Sequence, residues 1–289
     1  MAVLSAVAAP FRRLMAREDF RRNPAKAVVK RVAWRLRWAA TSSPMRLRHS
    51  AGFCLAAPKG AAGALIYYLG SSEPESAAFI TRFLKPGMIF FDVGAHIGEY
   101  SLLAASCVGY GGQVHAFEAQ PTTAELLRQN CAANRARNVV VNSCAVSDHE
   151  GHLDFDIHAE PTMSSIATSE RGNRGTVTRI RVRSTTLDEY CGEKALWPDL
   201  VKIDVEGAER LVLEGASRML SRPAHRAPAV VFECLDSTYR QFGCSPDQVV
   251  ALLQSHGYQV HRIAREGEIV PQTAGIARGA GYNLVALKS

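Results

Sequence analysis

No run of apolar residues in this sequence approaches the length needed to cross a bilayer, which excludes a membrane-spanning architecture from the expectations. There is no C-x-x-C either. The seven cysteines, at positions 54, 107, 131, 144, 191, 234 and 244, are odd in number and widely spaced, and they read as reduced core thiols of a cytosolic protein. A signal peptide is missing its basic start: Met1–Ala9 is apolar, but Arg12 and Arg13 come after it, the wrong order. An Arg-rich start with no acid before Glu18 also fits an organellar transit peptide. Acids are scarce at one end of the chain only. Residues 1–50 hold 12 Lys/Arg and 2 acids, a net of +10, whereas residues 51–289 hold 22 and 25, a net of −3. The overall +7 therefore belongs to an arm, and the basic pI implies no nucleic-acid partner.

What is present centres on Met88–Tyr100. The short apolar run ending in Asp92 reads as a strand, Gly94 and Gly98 as a tight turn, and Leu102 to Ala105 as the start of a helix. A second strand, Gln113–Phe117, ends at Glu118, 20 residues past Gly98. An acid at about that distance after a glycine turn is placed to accept hydrogen bonds from a ribose diol. The spacing is not the dinucleotide fingerprint G-x-G-x-x-G, because His96 occupies the middle position. A pyrophosphate needs close backbone approach at a helix N-terminus. S-adenosylmethionine carries no phosphate and needs an acid-rimmed turn and a ribose carboxylate, so it fits better. The same glycines also suit a doubly wound fold in which they serve packing alone.

Along the chain, residues 11–40 intersperse Arg and Lys with Val28, Val29, Val32, Trp34, Leu36 and Trp38, and Pro24 separates two helical pieces. This arm fits an amphipathic contact with an anionic membrane surface, and equally a helix packed on the protein with a solvated charged face. Residues 53–70 read as short strands or loops, and Ser76–Leu84 as a helix. After Glu118 come a helix over Thr122–Asn134, a strand at Val139–Val141 and a turn over Asn142–Asp148. Residues 149–183 break the rhythm. Leu153–Ile157 and Val177–Arg183 alternate like half-exposed strands around a polar tip, the pattern of a hairpin insertion serving as a substrate lid or of a solvated loop. Strands follow at Leu200–Asp204, Val230–Glu233, Tyr258–Ile263 and Asn283–Leu287. The alternation argues one doubly wound α/β sheet, with its ligand at the carboxyl ends of the strands. Asp92, Glu118, Asp204 and Glu233 all end strands and are expected to converge there.

Six segments in order carry a resemblance: FDVGAHIG at 91–98, FEAQP at 117–121, AVSD at 145–148 with Gly151, TLD at 186–188, VKIDVEG at 201–207 and VFE at 231–233. Together they resemble the FkbM-type methyltransferases over roughly residues 65–289. The resemblance implies a class I methyltransferase-like fold, a seven-stranded sheet with its last strand antiparallel, preceded here by the basic helical arm of residues 1–50. It implies S-adenosyl-L-methionine as cofactor and methyl transfer to a hydroxyl of a sugar, glycan or natural product. Carried over by position, Asp92, Gly94, Ala95, His96 and Gly98 form the cofactor turn, and Glu118 with Ala119 holds the ribose. Ala145 then lies near the adenine and Asp204 near the methyl group, while Ser164 and Ser165 are similar to the family's lid pair. The family usually has asparagine where His96 stands; imidazole can also hydrogen-bond. The arm before about residue 50 is not explained by the resemblance.

The expected reaction is thus an O-methyl transfer in domain 51–289. Asp204 is the first candidate for the base or acceptor-orienting group, Glu206 the second and His96 the third. Glu206 also suits a helix cap. Two other readings compete: a nucleoside-binding partner protein with the same fold that transfers nothing, and an NAD-linked oxidoreductase, which the missing third glycine disfavours. No metal is assigned, since no Asp-Asn pair follows Asp204 or Glu233. The expected partner is a small-molecule or glycan acceptor, with no nucleic acid, and the expected location is cytoplasmic, with the arm able to reach the inner face of the membrane.

Overall fold

A computed structural model of the chain describes residues 18–158, 164–167, 177–272 and 282–289. The tip of the insertion, 159–163 and 168–176, lies outside the described residues, as does the apolar start of the chain. Two compact units are present, one running to Ser72 and the other from Glu73 to Ser289.

In the first unit the helices Glu18–Arg22 and Pro24–Ala40 break where Pro24 predicts. Asn23 caps the longer one, its side chain accepting from Lys26 N at 3.0 Å, and Pro24 occupies the first turn, where a missing N–H costs nothing. Strands β1 (Met45–Arg48) and β2 (Cys54–Ala57) pair antiparallel. Residues 53–70 are not all strand and loop: Ala61–Leu69 is a helix, ended by Gly70 in the left-handed region at φ 92°. The apolar run Leu65–Tyr68 is too short to show its period, and its aromatics favour a strand by propensity alone.

In the second unit eight strands lie in the order β5-β4-β3-β10-β11-β14-β12-β13. They are β3 (Ile89–Val93), β4 (Gln113–Phe117), β5 (Val139–Asn142), β10 (Leu200–Ile203), β11 (Ala229–Cys234), β12 (Tyr258–Ile263), β13 (Ile269–Pro271) and β14 (Tyr282–Lys288). The first five in chain order are mutually parallel, and β14 runs antiparallel to β11. The expected seven strands are present, with β13 added as a three-residue edge strand pairing with β12. Phe90 and Phe91 of β3 are both fully buried, as befits a central parallel strand covered on both faces.

A separate small sheet, ordered β6-β9-β7-β8, comprises β6 (Ala145–Val146), β7 (Gly151–His158), β8 (Ser165–Ile166) and β9 (Val177–Thr185). β7 and β9 form the expected antiparallel hairpin, in register from Gly151 opposite Ser184 to His158 opposite Val177. Within the predicted turn 142–148, Ala145 and Val146 form a short parallel strand on β9. Five of the seven cysteines are buried. Among the described residues no helix is long and apolar enough to cross a membrane.

The chain leaves β3 toward β4 and β5 and returns on β3's other side at β10, so the switch point lies between β3 and β10. There the two backbones nearly touch. Gly94 sits at φ 81°, and a Cβ on it would meet the Asp204 carbonyl oxygen at 1.8 Å. Gly94→Ala is expected to cost at least about 2 kcal/mol through backbone strain and overlap. Thermal unfolding of the purified variant checks this, and an unchanged midpoint would contradict the close approach.

Candidate active site

The turn after β3 uses its own amides. Gly94 N and Ala95 N both donate to the Phe117 carbonyl, at 3.0 and 2.9 Å, Gly98 N donates to the Ala95 carbonyl at 2.9 Å, and His96 N donates to Glu118 Oε2 at 2.9 Å. Four N–H groups that would cradle a pyrophosphate are committed within the protein, which suits a nucleoside ligand without phosphate at this turn. His96 itself is at φ 49°, where glycine and asparagine are the easier residues.

Glu118 is almost wholly buried. Its Oε1 accepts from Gln120 N at 2.8 Å, so one amide on each oxygen fixes the carboxyl plane. Each oxygen retains a second lone pair for a ribose hydroxyl. Ala145 lies in an apolar cluster with Phe155 and Val182, and Ala119, next to Glu118 in the chain, packs against that cluster. Asp92, fully buried, accepts from Ser101 Oγ at 2.6 Å on one oxygen; its other oxygen has no hydrogen-bond partner among the described residues. The committed amides and the remaining lone pairs of Glu118 fit S-adenosylmethionine.

The second half of the site is built on Lys202 and Asp204. Lys202 is 2% exposed and donates from Nζ to Asp204 Oδ2 at 2.7 Å, with its ammonium 4.5 Å from the centre of the Tyr100 ring. Burial alone would push Lys202 down, but Asp204, Glu73 and Asp92 outweigh it and hold its pKa above the usual lysine value. Asp204 keeps 28% of its side chain exposed. One carboxylate oxygen from each of Asp204, Glu206 and Glu233 lies within 4.8 Å of the others. Burial, then the charges of Asp204, Glu206, Glu73 and Glu209, push Glu233 well above the usual carboxylate range, which favours its protonated form and relieves the crowding. A divalent cation held by the same three groups would relieve it by displacing that proton.

The structure thus brings Asp204, Glu206 and Glu233 together at one end of the edge, and His96 and Glu118 together at the other. Asp92 lies beneath the turn rather than on its rim, because Ser101 and Lys202 draw it into the interior. Glu206 stands in the turn before the helix Glu209–Glu214, with its backbone in the left-handed region at φ 56°. Glu209 ties down the turn before its own helix, accepting on Oε1 from Val205 N at 3.0 Å and Gly207 N at 3.3 Å. Three participants escaped the sequence reading. Glu73 accepts from Tyr100 Oη at 3.0 Å, interacts with Lys202 and Asp204, and is bonded by Asn283. Only the Glu-Pro helix start was visible for it. Tyr100 showed one period of an ordinary helix, and Asn283 showed nothing.

Burial holds Glu118 at about 7, against the amides of Gln120 and His96, which pull it down. Accepting two ribose hydroxyls requires the ionised form, so binding releases a proton. Affinity for S-adenosylmethionine is therefore expected to weaken as pH falls below about 7, by up to about tenfold per unit. Glu118→Gln should bind at least about tenfold more weakly at pH 8 and lose the slope. Calorimetry across pH 5.5–8.5 checks both; a flat wild-type profile, or an equal slope in the variant, would contradict this role.

Comparison with known proteins bears on the same residues. The sequence pattern of the methyltransferase FkbM domain matches residues 92–260, from Asp92 in β3 into β12. The 31-O-demethyl-FK506 methyltransferase FkbM of Streptomyces tacrolimicus is 30% identical over 204 residues, which are 61% of this chain and 75% of that protein. Among solved structures, the methyltransferase FkbM of Methylobacillus flagellatus is 16% identical over 78% of this chain and 52% of its own, with a TM-score of 0.44. A putative methyltransferase of Streptococcus mutans in complex with SAH is 10% identical over 74% of this chain and 97% of its own, with a TM-score of 0.43. The match over more than half of the chain, together with the 30% identical relative, shows that this protein belongs to the FkbM methyltransferase family, with S-adenosyl-L-methionine as its cofactor.

Proposed function

We propose that the protein transfers a methyl group to a hydroxyl oxygen of a sugar, glycan or natural product. The observation that carries this reading is Asp204: a partly exposed carboxylate, anchored on one oxygen by a buried ammonium, at the switch point of the sheet. The printed name of the 30% identical relative, an O-demethyl-FK506 methyltransferase, supports an oxygen acceptor of natural-product type.

The cofactor supplies an electrophilic sulfonium methyl. Everything else falls to the chain. Glu118, fixed by the amides of His96 and Gln120, holds the nucleoside end, and Ala119 and Ala145 supply its apolar wall. At the other end an attacking hydroxyl must be aimed along the line of transfer and must lose its proton. Lys202 fixes the Asp204 carboxylate in one orientation, so a hydroxyl bonded to it is aimed before it reacts, and such positioning carries most of the rate. Accepting the proton contributes a further ~10²–10⁴-fold. Glu206, within reach of Asp204, is the second group able to bond the acceptor, and Glu233 in its protonated form is a donor rather than a base. His96 has its backbone tied to Glu118, at the nucleoside end, and ranks behind both.

Asp204→Asn separates positioning and proton transfer from cofactor binding. Turnover on an accepted hydroxyl substrate should fall by about a hundredfold or more, with S-adenosylmethionine affinity close to wild type. A large affinity loss with turnover recovered at saturating cofactor would assign Asp204 to binding instead. Both quantities within twofold of wild type would remove Asp204 from the site.

A further inference from the structure

The helix Pro24–Ala40 has two faces of different chemistry, and one of them is already committed within its own unit. Trp34 packs on Tyr67 and Tyr68 with ring centroids 5.4 and 6.0 Å apart. Lys30 donates from Nζ to the Tyr67 and Tyr68 carbonyls at 3.0 and 3.1 Å. Arg31 pairs with Asp19 at 2.6 Å and lies over the Phe20 and Tyr68 rings. These contacts fix the rotation of the helix about its axis.

The opposite face is apolar and open. Val28, Val29, Val32 and Leu36 are 50–66% exposed, and they are four of the seven large hydrophobic side chains exposed among the described residues. At 3.6 residues per turn they fall on one stripe about 100° wide. The helix carries no acid. Arg35 borders the stripe, Lys26 lies beyond its other edge, and Arg21 and Arg22 stand just before the helix, all four exposed. A cavity of about 280 Å³ opens at the same end, lined by Arg22, Asn23, Lys26, Lys30 and Tyr68, with Asp19, its one acid, paired to Arg31. Residues 1–72 carry 13 Lys/Arg against 2 acids, while residues 73–289 carry 21 against 25.

We propose that this face is a docking surface for an anionic lipid bilayer. Val28, Val29, Val32 and Leu36 enter the boundary between headgroups and acyl chains, and Lys26, Arg35, Arg21 and Arg22 meet the lipid phosphates. An apolar stripe of four side chains and a basic border are each weak anchors, and the two together hold a protein at such a surface. The concentration of positive charge in the first unit makes the occupant anionic, and the stripe demands one with an apolar layer beneath its charge. A bilayer offers both. The proposal goes beyond the catalytic reading and does not depend on it.

Flotation of the full chain with vesicles tests it. Vesicles of phosphatidylglycerol and phosphatidylcholine should carry the protein at low salt, and binding should fall at least about tenfold in molar salt or on pure phosphatidylcholine. Val32→Ser with Leu36→Ser alters exposed positions only, and should weaken binding at least about tenfold with circular dichroism and melting unchanged. Lys26→Glu with Arg35→Glu should do the same through charge. The proposal is overturned if the wild type fails to float with acidic vesicles at low salt, or if either pair binds as the wild type does. It is also overturned if the wild type sediments as a dimer that Val32→Ser with Leu36→Ser converts to a monomer, since the stripe is then covered by a second copy.

Discussion

One buried ammonium sets the electrostatics of the catalytic unit. Lys202 stands in the middle of the sheet with Glu73, Asp92 and Asp204 as its charge partners. An isolated ammonium in that interior would give up its proton; the surrounding carboxylates hold it charged. Removing one partner of a buried pair costs about 3–5 kcal/mol, because the survivor is left uncompensated. The carboxylates depend on Lys202 in turn. Without it, Glu73, Asp92 and Asp204 would crowd one sheet edge with nothing opposing them. Burial, and after it the neighbouring acids, already raises Glu233 well above the usual carboxylate range, and burial holds Glu209 at about 7.

That constraint explains the division of labour along the edge. The β3–β4 end is closed by backbone hydrogen bonds, with Asp92 beneath the turn and Glu118 held by two amides. Its hydrogen bonds fix the Glu118 carboxyl, which ionises to take the ribose hydroxyls. The β10–β11 end concentrates the acids around Lys202 and leaves Asp204 partly exposed, which suits contact with a polar acceptor. The join between the two ends is the approach of Gly94 to the Asp204 backbone, so the cofactor turn and the reacting end cannot move independently without breaking a contact that admits no side chain.

Much of this was legible in the sequence for local reasons. Parallel strands buried on both faces appear as short apolar runs, and their terminal acids stand out because a charge ends the run: Asp92, Glu118, Asp204 and Glu233 were all found that way. Pro24 and Ser245-Pro246 mark helix starts because proline has no N–H to lose there. What escaped depends on distance or on short elements. Glu73 and Asn283 are joined by folding across 210 positions, and no spacing rule connects them. Glu206 and Glu209 are both acids near a helix start, and only the fold shows that Glu209 turns back to bind the amides of the preceding turn. The helix Ala61–Leu69 and the edge strand β13 are too short for periodicity to declare them.

The central claim is that one edge of the sheet holds the nucleoside at Glu118 and presents the acceptor to Asp204. Diffraction from crystals grown with S-adenosylhomocysteine tests it most directly. The account predicts both ribose hydroxyls on the Glu118 carboxylate, the adenine against Ala119 and Ala145, and the sulfur facing Asp204. A ligand bound with Glu118 still paired only to the His96 and Gln120 amides, or with its sulfur turned away from β10, would contradict it.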